Sequence, residues 1–123
     1  VINKWFTAQA TSHRKDTLEQ VKSLTKHPTF NINNPNNVYS LLRAFSANLV
    51  RFNDVKAYEF YADKIIEIDP KNPQVAARLC AAFNFVKKLE PQLKDAAMAQ
   101  IKRIVDVPSL SKNSRELLQS ALG

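Results

Sequence analysis

A chain of 123 residues with 45% hydrophobic side chains has enough apolar material for one continuous core, and residues 1–123 read as a single domain. The only glycine is Gly123, so tight β-hairpins lack the residue that usually supplies positive φ, and the chain reads as all-α. The formal charge of +7 comes from 18 Lys and Arg scattered among 11 Asp and Glu, with Arg14-Lys15, Lys87-Lys88 and Lys102-Arg103 the longest basic pairs. These are solvated helix faces, and no nucleic-acid partner is expected.

Seven helical segments follow from apolar spacing and from proline punctuation. The first, about residues 1–10, carries Ile2, Trp5, Phe6 and Gln9 on neighbouring turns. The second, about 14–26, carries Leu18, Val21 and Leu24 and stops before Pro28. The third opens with Asn34 as N-cap and Pro35 at the first helical position, and Val38, Leu41, Leu42, Phe45 and Leu49 form one apolar stripe. The fourth, about 54–68, places Tyr58, Tyr61, Ala62, Ile65 and Ile66 on one face and Glu59, Asp63 and Glu67 on the other. Asp69-Pro70 ends it, because the residue before proline avoids the helical region.

The fifth segment repeats the entry chemistry of the third, with Asn72 capping and Pro73 leading into Val75, Leu79, Ala82, Phe83 and Val86. The sixth starts near Pro91 with Leu93, Ala97, Ile101 and Ile104. The seventh starts from Ser111 as N-cap with Leu117, Leu118, Ala121 and Leu122. Segments three and five align at an offset of 38 residues through Asn34/Asn72, Pro35/Pro73, Leu41/Leu79, Ala44/Ala82 and Phe45/Phe83. A shared cap, proline and stripe are what two stacked helix pairs need, since neither pair buries its apolar face alone. The expected architecture is a HEAT/armadillo-like α-solenoid of stacked antiparallel helix pairs.

Catalytic chemistry is not legible in these residues. His13 and His27 are fourteen positions apart and make no H-E-x-x-H pair, and His27 reads as a polar residue at a helix end. Cys80 is the only cysteine. It rules out an internal disulfide, is compatible with a reducing compartment, and reads as buried filler among alanines. No phosphate loop is possible without internal glycine, and the carboxylates are dispersed on polar faces. No stretch approaches the roughly 20 apolar residues of a membrane span, and no signal peptide is visible, so no membrane partner is expected. The chain opens without Met on Val1-Ile2-Asn3-Lys4-Trp5-Phe6, already in a helical pattern, and reads as part of something longer.

One position stands out. Arg78 lies in the run Val75 to Phe85, the most apolar helix of the chain, with Gln74 four residues earlier on the same face. Two readings compete. Arg78 pairs with an acid such as Asp69 or Glu67, or snorkels to water; or the Gln74/Arg78 pair faces a cavity, where a guanidinium holds a peptide group or carboxylate by bidentate hydrogen bonds.

Taken in order, Lys4-Trp5-Phe6 with Gln9-Ala10, the His27-Pro28-x-Phe30 turn, Asn34-Pro35-Asn36 and Asn72-Pro73-Gln74-Val75-Ala76-Ala77-Arg78-Leu79 resemble the carboxy-terminal domain of bacterial aminopeptidase N, a zinc-dependent alanyl aminopeptidase family. The resemblance implies a helical-repeat cap whose partner is the preceding catalytic domain of the same chain. Zinc and the catalytic groups lie in that domain, and this part holds no cofactor of its own. It implies a cytoplasmic enzyme that removes amino-terminal residues from peptides. It also implies that Gln74 and Arg78 bind the peptide substrate on the leaving-group side of the scissile bond. The chain departs from the family pattern where Tyr39 precedes Ser40-Leu41, and where Asn53 to Tyr58 replaces a Gly-rich turn. A competing reading is a tetratricopeptide-like peptide-binding scaffold with no enzymatic activity, since Ala57-Tyr58 through Asp69-Pro70-Lys71-Asn72-Pro73 is similar to a junction of that repeat. Its 34-residue period is missing.

Overall fold

Two asparagine caps set the frame of the computed structural model, which describes residues 2–122; its regular elements are all helical, with no strand among those residues. Val1 and Gly123 lie outside the described residues, and with them the ends of the first and last segments. The chain divides into two compact units, Val1–Asn53 and Asp54–Gly123.

In the first unit, α1 (Ile2–Ala10) buries Phe6 and Ala10, and α2 (Thr17–Leu24) buries Val21 and Leu24. The Asn34 side chain accepts from the Asn36 and Asn37 amides at 3.0 and 3.4 Å, and Pro35 occupies the first turn of α3 (Pro35–Val38). The helix then runs through a π-helical turn, Tyr39–Arg43, into α4 (Ala44–Ala47). Val38, Leu41, Leu42 and Phe45 are fully buried as the stripe requires.

Leu49 is a correction to that stripe, being 58% exposed. The helix breaks at Asn48, whose side-chain amide donates to the carbonyls of Ala10 (3.0 Å) and Ser12 (2.7 Å) at the end of α1. Leu49 therefore starts a separate short helix, α5 (Leu49–Phe52), which buries Phe52 instead. Trp5 is 40% exposed and stacks edge-on against His27, while Phe6 inserts fully and meets Phe30 at 5.7 Å between ring centres.

In the second unit, Asp54 accepts from the Lys56 and Ala57 amides and so opens α6 (Val55–Ile68), a cap the sequence reading did not identify. The face bearing Tyr58, Tyr61, Ala62 and Ile65 is buried, Ile66 is half-buried, and Glu59, Asp63 and Glu67 are exposed. Asn72 caps α7 (Pro73–Cys80) by accepting from the Val75 amide. The fifth segment does not continue as α-helix to Val86. It tightens to 3-10 turns at Ala81–Phe83 and Val86–Lys88, and the Tyr61 hydroxyl donates to the Leu79 carbonyl at 2.8 Å where the α-helical ladder ends.

Two long elements close the unit. Helix α8 (Pro91–Val105) packs on α6, with Arg103 paired to Asp63 at 2.7 Å and donating to the Glu59 carbonyl at 3.1 Å. Helix α9 (Lys112–Leu122) packs on α7, burying Leu118 and Ala121 but leaving Leu117 on the exposed side, contrary to the expected stripe. Arg115 donates to the Val105 and Val107 carbonyls and satisfies the end of α8. No helix among the described residues is long and apolar enough to cross a membrane.

One buried carboxylate ties this unit together. Asp69, just past the end of α6 and only 3% exposed, accepts from the Ser111 amide (2.9 Å), the Ser111 hydroxyl (2.7 Å) and the Ser114 hydroxyl (3.1 Å). Ser111 in turn accepts from the Ser114 amide at 3.4 Å, so the predicted N-cap of α9 is itself held by a residue 42 positions away. Bonds to a charged acceptor in a buried setting are stronger than neutral ones, and stranding their donors adds a desolvation cost. Asp69→Ala should therefore lower unfolding stability by about 3 kcal/mol. Asp16→Ala, which removes an exposed ion pair with Arg14, should cost under about 1 kcal/mol. Urea denaturation of the two variants side by side checks the contrast, and equal midpoints would refute the staple.

Candidate functional site

Helix α7 is short and alanine-rich, and nearly all of it is consumed by packing. Val75, Ala76, Ala77, Leu79 and Cys80 are buried, against α6 on one side and α9 on the other. Small side chains permit close approach of the neighbouring helices, which leaves Pro73 in the first turn and one further line of positions open to solvent. Gln74 and Arg78 occupy it, both exposed, one turn apart. The pair that the sequence singles out is thus brought together on the outward strip of an otherwise buried helix.

The two acids named beside Arg78 each have partners of their own. Asp69 serves Ser111 and Ser114, and Glu67 pairs with Lys64 at 3.1 Å. The sequence had weighed Asp69 only as a counter-ion. Its serine partners lie on a segment that no local pattern connects to it.

The axial separation of positions four apart on an α-helix is about 6 Å. An extended peptide repeats its outward-facing backbone groups every two residues, at roughly 6.6–6.8 Å. A carboxamide and a guanidinium with this spacing match alternate backbone groups along one edge of an extended chain. The side chains can bind and orient; neither is placed to transfer a proton.

Among the other reactive groups His13 is exposed, whereas Cys80, Tyr58 and His27 are buried or engaged. Cys80 is 1% exposed, and burial pushes its thiol up to about 12, with the proximity of the Ser114 hydroxyl opposing the rise and the Asp69 charge adding to it. Burial likewise raises the Tyr58 phenol to about 12, helped by the charges of Asp54 and Glu90. The Thr29 amide donates to His27 Nδ1 at 3.1 Å, and the ring packs edge-on against Trp5 and Phe6. Among the described residues no three His, Cys, Asp or Glu side chains converge in a way that could hold a metal ion. In the first unit an open depression of about 260 Å³ is lined by Asn3, Lys4, Thr7 and Ser40, with the Thr7 hydroxyl donating to the Ser40 carbonyl.

The Cys80 environment gives a direct check. A thiol raised from 9.0 to about 12 stays protonated at pH 8, and the thiolate is the reactive form. A disulfide reagent at pH 8 should leave Cys80 unmodified in the native protein and label it stoichiometrically in denaturant; labelling of the native form within minutes would contradict the burial. The same shift has a definite sign for stability. The unfolded thiol ionises near 9 and the folded one near 12, so its contribution is complete below pH 9 and is lost as pH rises toward 12.

Comparison with known proteins places this geometry in context. Residues 1–123 match the family described as a domain of unknown function, DUF3458_C, ARM repeats. Among curated proteins the chain is 42% identical over 126 residues to aminopeptidase N of Caulobacter vibrioides, covering 100% of the chain and 15% of that relative. It is 37% identical to aminopeptidase N of Haemophilus influenzae and 32% identical to that of Escherichia coli, each time over 99% of the chain and 14% of the relative. Among solved structures, aminopeptidase A of Legionella pneumophila in complex with aspartic acid superposes with a TM-score of 0.92 at 33% identity, covering 98% of the chain and 14% of that protein. The chain therefore spans about one seventh of the length of these relatives.

Proposed function

Since the chain belongs to the DUF3458_C family of ARM-repeat domains, we propose that it is the carboxy-terminal cap of a zinc aminopeptidase that removes amino-terminal residues from peptides. In this reading the cap encloses the active-site cavity, and Gln74 and Arg78 contact the substrate on the leaving-group side of the scissile bond. The observation that carries the reading is similarity over the whole chain to aminopeptidases, joined to the exposure of Gln74 and Arg78 on the one open strip of α7.

The division of labour follows from the residues present. The described residues do not fit a metal site, so zinc, which would supply Lewis-acid chemistry, belongs to the preceding domain in this reading. The contribution of this chain is positional. Arg78 is a fixed fork of donors for carbonyl or carboxylate oxygens, and Gln74 offers both a donor and an acceptor one turn away. Holding the departing part of the peptide lowers the entropic cost of reaching the reactive geometry without entering the proton transfers. An enclosing cap also limits access to extended chains and excludes bulk water. The lone buried Cys80 fits a reducing compartment, and the reading extends to a cytoplasmic enzyme whose partners are the peptide and the catalytic domain, with neither nucleic acid nor membrane involved.

The test separates binding beyond the cleaved bond from chemistry at it. In the full-length enzyme, Arg78→Ala should raise KM for peptides by about tenfold, the value of one charge-assisted hydrogen bond. KM for single-residue chromogenic amides, which have nothing to place at Arg78, should change less than about twofold. Equal effects on both substrate types would remove Arg78 from the leaving-group side.

A further inference from the structure

In the first unit, α1 packs on the π-helical turn Tyr39–Arg43, and between them lies the open depression of about 260 Å³ lined by Asn3, Lys4, Thr7 and Ser40. Its polarity is set from beneath by a buried amide. The Asn31 backbone amide, which can only donate, binds Asn37 Oδ1 at 3.0 Å and so fixes which way round the Asn37 carboxamide lies. Asn37, 5% exposed, then turns its Nδ2 to Asn3 and donates to Asn3 Oδ1 at 2.8 Å. Asn3 is left with its Nδ2, a donor, as the group it offers to a ligand. Thr7 gives its hydroxyl proton to the Ser40 carbonyl at 3.0 Å, whereas the Ser40 hydroxyl has no partner among the described residues. Lys4 likewise has no acid beside it. Residues 1–53 hold seven Lys and Arg against two acids, and both acids are engaged, Asp16 with Arg14 at 3.2 Å and Glu19 with Lys22 at 4.0 Å. The depression thus combines one cation, two neutral donors and no competing anion, in the unit with the larger excess of positive charge.

We propose that this depression binds a carboxylate, with Lys4 as the counter-ion and the Asn3 amide and Ser40 hydroxyl as hydrogen-bond donors. A charged acceptor gains most where donors are already oriented and not otherwise engaged. One lysine balances one negative charge, which suits a carboxylate better than a phosphate group carrying nearly two. A volume of about 260 Å³ lies below the range of pockets that enclose drug-sized ligands, so the site takes a carboxylate and its first few carbons and not a whole peptide. The π-helical turn brings Ser40 to the rim, and wider turns of this kind recur at functional sites. Two sources supply the group, a free carboxylic acid from solution or an Asp or Glu side chain from elsewhere in the full-length enzyme. The site lies wholly in the first unit and does not depend on the roles of Gln74 and Arg78.

Thermal unfolding of the full-length enzyme tests the site, in sodium acetate against sodium chloride of equal ionic strength. Two substitutions probe it without removing what holds it together. Lys4→Met keeps an unbranched stem and loses the charge. Asn3→Asp keeps the acceptor for Asn37 and turns the remaining donor into a carboxylate oxygen. If the carboxylate comes from solution, acetate raises Tm over chloride in the unsubstituted enzyme, and both variants lose that increment because each binds acetate about tenfold more weakly. Acetate held anywhere else acts on all three proteins alike, so only the difference between them counts. If the carboxylate is internal, acetate adds nothing, and both variants lower Tm in chloride by about 1–2 °C, Asn3→Asp the more because it sets one carboxylate against another. At an empty surface depression Asn3→Asp would instead form an exposed pair with Lys4, leaving Tm unchanged or raised, and acetate would not distinguish the three proteins; that result overturns the proposal. An effect of Lys4→Met that Asn3→Asp does not share overturns it too, since both residues contact the same group.

Discussion

The packing of α7 between α6 and α9 governs what the second unit presents along that helix. A helix of eight residues with two alanines cannot stand alone, and it is held by contact with α6 and α9. That requirement fixes which positions are small or apolar and which single line remains free for polar groups. Gln74 and Arg78 stand out in the sequence because the surrounding positions have no freedom to be anything but apolar. The same close packing makes the strip a rigid platform, which is what a substrate-orienting pair requires.

Fixation of α7 comes from both neighbours by polar as well as apolar means. From α6, the Tyr61 hydroxyl satisfies the Leu79 carbonyl at the point where the α-helix tightens, and the ring itself packs on Phe83. Just past the end of α6, the Asp69 carboxylate anchors the start of α9, whose far end buries Leu118 and Ala121. Both contacts therefore involve elements that pack directly on α7.

Legibility from sequence tracked how local the cause was. The Asn34-Pro35 and Asn72-Pro73 entries and the start at Pro91 were all readable, because caps and prolines act on their own backbone. That Gln74 and Arg78 share one face was readable from helical spacing for the same reason, whereas the exposure of that face was left open between competing readings. The stop near Asp69-Pro70 was readable in position but not in cause, since Asp69 before the proline keeps helical angles (φ −52, ψ −48) and still donates to the Ile65 carbonyl. What escaped depended on distant partners. The helix break that exposes Leu49 lies at Asn48, which bonds carbonyls some 36–38 residues earlier. The tightening of the chain after Cys80 coincides with a hydroxyl from Tyr61, and the burial of Asp69 answers serines 42 and 45 residues later. Nothing in the residues of Tyr39–Arg43 marks the π-helical turn found there. The family resemblance supplied the proposed roles of Gln74 and Arg78, which composition and spacing alone left open between surface ion pair and ligand contact.

The most direct test of the account is a structure of the full-length enzyme with a non-hydrolysable peptide of six or more residues bound at the metal. The account predicts the peptide extended along α7, with backbone oxygens beyond the scissile position within about 3 Å of the Arg78 guanidinium. A peptide that leaves the metal in another direction, with Arg78 contacting only protein or bulk water, would contradict it.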